Sequence, residues 1–360
     1  MPSEYQIHGQ TQYDWTDPSA AVKNLHLNTK VPKPTNIPAG HALVRIRAAA
    51  LNARDNMVIA HSPLYPGPHI QDLVPCADGA GEVVSIGQGS QWQVGNRVVI
   101  GVGAWEEWNY LGQAEMPPFE TLKPKGAVNF HGTLREYAVI PDEELIKAPK
   151  HLSFEELAAL PAAGTTAFHA LFRGPRPLKA GQTVLAQGTG GVSAFVIQLA
   201  AAIGATVIAT SSSEQKLKEA ERLGAKHTIN YREYPAWEEE VLKLTNGKGV
   251  DAVIEVAGSS TIEQSLKATK AGGVISLVGF LTETKATDLV TSIIFSGTTL
   301  YGVRMFTNEM TKGLVEFVEE KGIHPAIGQV FEWEDAKSAF ELMGKQSVVG
   351  KIVVRVGGED

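Results

Sequence analysis

The stretch Thr183–Ile203, TVLAQGTGGVSAFVIQLAAAI, decides the fold. A short apolar strand runs into Gly188, Thr189, Gly190, Gly191 and Val192, and a helix follows at once from Ser193. Glycines at such a turn permit positive φ and let the backbone come close to a pyrophosphate. The helix start then offers free N–H groups and a partial positive charge. The third position of the GxGxxG fingerprint is Ser193, which departs from glycine but is small enough for close helix packing. The plain alternative is a merely tight turn. Its place between a strand and a helix, with a second strand at the proper interval, favours dinucleotide binding.

Downstream, apolar strands keep alternating with amphipathic helices. Strands are expected at Thr206–Thr210, Lys226–Asn230, Asp251–Val256 and Gly273–Phe280, with helices at Glu214–Leu223, Trp237–Thr245 and Thr261–Thr269. Strands apolar throughout and separated by helices mean a parallel sheet covered on both faces, a doubly wound α/β domain. Upstream, Phe154–Leu160 reads as a helix with Ser153 and Glu156 at capping-box spacing, and Pro161 is expected to end it.

The first 150 residues are strand-rich and irregular instead. His41–Ala50, Pro75–Gly95, Asn96–Gly101 and Leu134–Ile140 read as strands. Between them, Val102–Asn129 is too long for an ordinary loop and reads equally as functional or as a surface insertion. After Leu300 come helices at Asn308–Glu319 and Glu334–Met343 and a last strand at Lys351–Val356. Pattern alone does not say whether these form their own subdomain or rejoin the first.

A length of 360 residues suits two or three domains. A formal net charge of -7 gives no electrostatic reason to bind nucleic acid or an anionic membrane. Apolar runs stay short of a membrane span, and the polar N-terminus lacks a signal peptide's pattern, so a cytoplasmic location is expected. The single cysteine, Cys76, excludes intramolecular disulfides and any multi-cysteine zinc site, and reads as a packing residue.

Cofactor choice is read at the end of the second strand. An acidic residue there would hold a ribose 2′-hydroxyl and indicate NAD. This chain has Ser211, Ser212 and Ser213, then Lys216, with Tyr231 and Arg232 closing the next strand. Hydroxyls and cations suit a 2′-phosphate, so NADP(H) is expected.

Over nearly its full length the sequence resembles the medium-chain dehydrogenase/reductase superfamily. The likeness rests on NARD (52–55), PCADGAGEVVSIG (75–87), VGNRV (94–98), LPAAGTTA (160–167), QGTGGVSAFVIQLA, ATSSSEQK, LGAKHTINY, GGVISLVGF and VGKIVV. It is nearest to the zinc-independent alcohol-dehydrogenase-like branch, beside the quinone oxidoreductases. The resemblance implies a GroES-like catalytic domain in residues 1–155, a Rossmann NADP-binding domain in 156–300 and a return to the catalytic domain in 301–360. It also implies a cofactor between the two.

By the same resemblance Asn52 and Thr165 or Thr166 would border the nicotinamide, Val278, Gly279 and Phe280 its carboxamide, and Gly350 and Lys351 would approach from the returning segment. Zinc relatives carry a cysteine, a Gly-His-Glu and a later cysteine. Matched by motif, these positions fall near Asn52, on Ala77 and Asp78, and near Ala162, so no metal is expected. Asp55 and Asp78 would be structural. The tyrosine that quinone oxidoreductases place five residues after the asparagine is Met57 here. The catalytic residues stay open: Asn52, Tyr65 and Arg304 are candidates, Tyr65 and Arg304 by polarity alone, as are His61 and His131, and water is a further candidate for the proton donor.

The expected function is NADPH-dependent, zinc-independent reduction of an activated C=C bond in a small molecule (enone, enal or quinone-like acceptor) by hydride transfer. The rivals are an NADP-dependent carbonyl/alcohol couple and an NADPH-binding redox sensor with little turnover. Strand Thr298–Val303 at the end of the sheet is expected to pair across a homodimer axis.

Overall fold

The computed structural model describes residues 1–65, 68–101, 124–281, 289–303 and 307–357. These fall into two compact units. One comprises the described residues up to 163 and from 307 onward, the other the described residues between 164 and 303.

The first unit is built on β3 (His41–Ala50), which follows β1 (Glu4–Ile7) and β2 (Leu25–Asn28). The strands β4 (Asp78–Ile86), β5 (Arg97–Ile100), β6 (Tyr137–Pro141) and β7 (Leu145–Lys147) come next, and two late strands, β14 (Ile327–Phe331) and β15 (Lys351–Arg355), complete the sheet. Its order is β14-β15-β3-β4-β5-β7, with β6 also on β3. The terminal segment therefore rejoins the first domain. The run Ala48–Ala50 shows why: Val353, Val354 and Arg355 pair with it on one side and Gly79 and Ala80 on the other. Small side chains suit a strand buried between two neighbours. The core beneath holds Tyr5, Ile46, Leu51, Ile59 and Phe340. The Tyr5 hydroxyl donates to Trp333 O at 2.9 Å, so its burial leaves no orphan donor.

Four of this unit's helices are α1 (Pro18–Ala21), α2 (Ala53–Ile59), α10 (Asn308–Lys321) and α11 (Ala336–Lys345); a fifth, α3 (Phe154–Ala159), carries the expected capping box at Ser153. Pro161 does not end it. A π-helical turn runs over Leu160–Gly164, then α4 (Thr165–Phe168) and a second π-helical turn to Arg173. A proline stops a helix by lacking an N–H and crowding the preceding turn; the wider π turn accommodates it. The Ala162 N–H leaves the helix and donates to Asp78 Oδ1 at 2.9 Å.

The second unit is a six-stranded parallel sheet ordered β10-β9-β8-β11-β12-β13. Its strands are β8 (Thr183–Gln187), β9 (Thr206–Ser211), β10 (His227–Asn230), β11 (Val250–Glu255), β12 (Thr269–Leu277) and β13 (Thr299–Gly302). Its further helices are α5 (Gly191–Ala202), α6 (Glu214–Arg222), α7 (Trp237–Leu244), α8 (Ile262–Ala268) and α9 (Val290–Ser296). This is the doubly wound order, with its switch point between β8 and β11. Strand β12 starts four residues before the sequence pattern places it, so Val278, Gly279 and Phe280 lie just past its end. Among the described residues no helix is long and apolar enough to cross a membrane.

Candidate active site

In the second unit the expected nucleotide-binding residues gather at the carboxyl ends of the parallel strands. Gly188 follows β8 with φ +70°, and a side chain added there or at Gly190 would meet no atom within 4 Å. The turn is thus an open cradle. The Ser193 hydroxyl donates to Gln187 O at 2.6 Å and pins the helix start to the strand end, the close approach that glycine provides elsewhere. Gly190 is the N-cap of α5 and, being glycine, brings no side chain of its own to the first N–H groups.

Ser211, Ser212 and Ser213 end β9 and lead into α6. The Tyr231 N–H donates to Ser211 O at 3.0 Å, which joins the ends of β9 and β10. Burial, and then the nearby positive charge of Arg232, lower the pKa of Lys216. The two cations therefore share one neighbourhood; β9 itself ends on Ser211, while Asn230 at the end of β10 donates to Glu214 Oε1 at 2.7 Å and Glu233 Oε1 at 3.0 Å. Past β12, Val278 N–H donates to Glu255 O at 2.9 Å, and Gly279 lies so close to Val256 O that a side chain would clash. Phe280 is exposed. Of the threonine pair, Thr165 is buried and Thr166 half-buried, so Thr166 is the one with a reachable surface.

The first unit holds the other group. Strand β3 delivers Asn52 to the start of α2, where its N–H donates to Asp55 Oδ2 at 2.8 Å. Asp78, at the start of β4, is fully buried. Its Oδ2 accepts from Asn52 Nδ2 at 3.0 Å and from Lys351 Nζ at 3.1 Å. Lys351 also donates to Leu51 O at 2.7 Å and to Asn52 Oδ1 at 2.6 Å, using all three ammonium hydrogens. Its charge is spent on holding Asn52 and Asp78, and Gly350 before it packs against Ala326 O at φ +80°. Asp55 and Asp78 do not work as a carboxylate pair; each has its own partners.

Arg54 follows Asn52 by two residues. Its Nη1 donates to Lys125 O at 2.8 Å, and its guanidinium lies 4.8 Å from the centre of the Tyr65 ring. Burial works against its charge, yet Tyr65 and the carboxylates of Asp55 and Asp78 hold its pKa above the usual value. The other polar candidates are engaged in structure. His61 Nε2 pairs with Gly9 O at 2.9 Å, and His131 Nδ1 accepts the Val74 N–H at 3.1 Å. Cys76 is buried, and burial pushes its thiol pKa well up. Arg304 and most of the 102–129 segment lie outside the described residues.

Known proteins match this arrangement along the chain. Residues 38–150 match the alcohol dehydrogenase GroES-like domain and residues 191–320 the zinc-binding dehydrogenase family. A zinc-type alcohol dehydrogenase-like protein of Schizosaccharomyces pombe is 39% identical over 329 residues, covering 90% of this chain and 93% of that protein. The chain belongs to the medium-chain dehydrogenase/reductase superfamily. A crystal structure of a putative alcohol dehydrogenase from Sinorhizobium meliloti superposes with a TM-score of 0.86 at 30% identity, covering 98% of both chains. A 2-haloacrylate reductase of Burkholderia is 30% identical over 236 residues, 62% of this chain and 70% of its own.

The family description implies a zinc ion, and the residues of this medium-chain dehydrogenase/reductase do not fit one. Asn52, Ala77 and Ala162, the residues at or near the positions that the resemblance matches to zinc ligands, offer neither thiolate nor imidazole, and the carboxylate beside them, Asp78, is taken by the Lys351 ammonium. Among the described residues no three His, Cys, Asp or Glu side chains are grouped to hold a metal. Sequence reasoning passed over two features. Glu255, at the end of apolar β11, is fully buried and accepts from Ala257 N, Gly258 N, Thr261 Oγ1, Gln187 Nε2 and Ser265 Oγ at 2.6–3.0 Å. Arg54 was the other; a cation in the first turn of a helix reads as solvated, and its partners lie 11 and 71 residues away.

Proposed function

We propose that this protein is a zinc-independent, NADPH-dependent reductase of an activated C=C bond in a small molecule. The observation that carries this reading is the Asn52–Asp78–Lys351 cluster, in which an ammonium takes up the buried carboxylate beside the positions that the resemblance matches to zinc ligands. Direct carbonyl reduction in this superfamily generally uses zinc as Lewis acid, so a site without ligands favours the more electrophilic conjugated acceptor. The open Gly188–Val192 turn and the start of α5 would hold the cofactor pyrophosphate. Ser211, Ser212, Ser213, Lys216 and Arg232 would take a 2′-phosphate, with Tyr231 beside them. Val278, Gly279 and Phe280 would offer backbone groups to the carboxamide.

When bound, NADPH supplies the hydride; the chain's task is orientation and charge. Lys351 and Asp78 fix the Asn52 amide in one orientation, so this group is preorganised at the start of α2. Thr166 offers the reachable hydroxyl of its pair. Relatives fit both this chemistry and its rival: a quinone oxidoreductase of Rattus norvegicus is 26% identical and a structure of an NAD-dependent alcohol dehydrogenase 33%. A homodimer is part of the proposal, since Ile294 and Phe295 of α9 are exposed and β13 has no further strand beside it among the described residues. So is a cytoplasmic location.

The test pairs an enone with its saturated ketone, each with NADPH and with NADH. Consumption of the enone alone, with NADPH preferred by at least about tenfold, is the expected result. Reduction of the ketone, equal use of NADH, or cofactor binding without turnover on any acceptor contradicts it.

A further inference from the structure

Arg54 is placed for a ligand that the fold does not supply. Its Nη1 is satisfied by Lys125 O at 2.8 Å. Its Nε and Nη2, the two nitrogens along the other edge of the guanidinium, are buried with no hydrogen-bond partner among the described residues. These two nitrogens form the side-on fork that meets both oxygens of a carboxylate. The neighbouring carboxylate does not fill it: Asp55 lies 3.5 Å from Nη1, on the opposite edge, and accepts the Asn52 N–H with its Oδ2. The Tyr65 ring lies over the guanidinium, its centre 4.8 Å away, and its hydroxyl lies near the same group without meeting Nε or Nη2 in hydrogen-bond geometry. Buried donors on a charged group without an acceptor are rare in folded proteins and call for a reason. The side chain keeps 19% of its surface exposed, so it is not sealed inside the core.

We infer that Arg54 binds the carboxylate of the substrate, and that the acceptors of this enzyme are α,β-unsaturated carboxylic acids. The inference rests on the reductase reading above and names its substrate class. The pairing serves the chemistry as well as binding. As hydride adds to the β-carbon, the C=C π electrons move onto the carboxylate oxygens, where the two N–H donors meet the growing charge. The α-carbon would then take a proton from solvent, the hydride and its electron pair being what NADPH would supply on becoming NADP+. A guanidinium is suited to this because it stays charged and matches two oxygens at once. That a relative is named for reduction of 2-haloacrylate, an unsaturated acid, accords with it.

The experiment compares a 2-enoic acid, its methyl ester and a matched enone with NADPH, in the wild type, Arg54→Gln and Arg54→Lys. Binding of butyrate, a saturated acid, is followed by calorimetry in the presence of NADP+. The expected result is a rise of about 10- to 100-fold in KM for the acid in Arg54→Gln, with loss of butyrate binding. The ester and enone should change by less than about threefold, and Arg54→Lys should recover part of the acid's loss by restoring the charge without the fork. Equal losses on acid, ester and enone would show a structural role and overturn the inference. Wild-type reduction of the enone without the acid overturns it too, while leaving the reductase reading in place. Failure on all three acceptors overturns both.

Discussion

Asp78 in the first unit and Glu255 in the second are both fully buried carboxylates, and the chain handles them in opposite ways. Asp78 is met by a cation, Lys351, 273 residues away, together with the Asn52 amide and the Ala162 N–H. Glu255 meets no cation within hydrogen-bond range among the described residues; five neutral donors surround it, three of them from the loop right after it. The first arrangement ties the returning terminal strand to the helix that carries Asn52 and Arg54. The second shapes one loop at the carboxyl end of the parallel sheet. A buried charge can therefore knit distant chain segments or order a local turn, and the partner's sequence distance tells which.

The comparison breaks most visibly at Lys351. Lys351→Met leaves Asp78 buried without its counter-charge and should cost about 3–5 kcal/mol in denaturant unfolding. Adding Asp78→Asn to that variant should recover part of the loss, because a removed pair costs less than a broken one. Equal stability of the single and double variants would mean the ion pair is not what holds the segment. Glu255→Gln presents an amide N–H₂ to groups that donate. It should lose about 1–3 kcal/mol, read from the urea midpoint, and an unchanged midpoint would show that the loop does not depend on the carboxylate.

His69 handles its charge in a third way, by staying neutral. Burial, then the neighbouring His61 ring and the Arg54 charge, push its pKa down to about 4, and its Nδ1 accepts the Val128 N–H at 2.9 Å. A depressed folded pKa contributes stability that is present above the unfolded value near 6.5 and lost as pH falls through about 4. Unfolding measured between pH 7 and 4 should thus fall less steeply in His69→Gln than in the wild type; parallel curves would remove His69 from the account. The smallest effect on stability is expected at Gly190. Gly190→Val, with open space around the new side chain, should stay within about 0.5 kcal/mol of the wild type. It should nevertheless weaken NADPH binding by at least about tenfold, because it would fill the place proposed for the pyrophosphate; unchanged affinity would move the cofactor elsewhere.

Much of this was legible in the sequence, and the limits have physical causes. The alternation after Thr183 places every strand of the parallel sheet within a few residues, since strands covered on both faces must be apolar throughout. The glycine turn reads equally well because its conformation depends on residues next to one another. Pro161 misleads, since the missing N–H that normally stops a helix is absorbed by a π turn, and Asp78 accepts the neighbouring N–H. Asp78, Lys351 and Arg54 carry no local signal at all: what they do depends on partners tens to hundreds of residues away. The resemblance placed Asn52 and Lys351 near the cofactor, while the fold shows the lysine acting on the asparagine.

The central claim is that the chain polarises its acceptor without zinc. It is tested most directly by measuring the metal content of the purified protein alongside NADPH-dependent reduction of an unsaturated acceptor before and after chelation. The account predicts zinc far below one ion per chain and an unchanged rate after chelation. One zinc per chain, with activity lost on its removal and restored on its return, would contradict it.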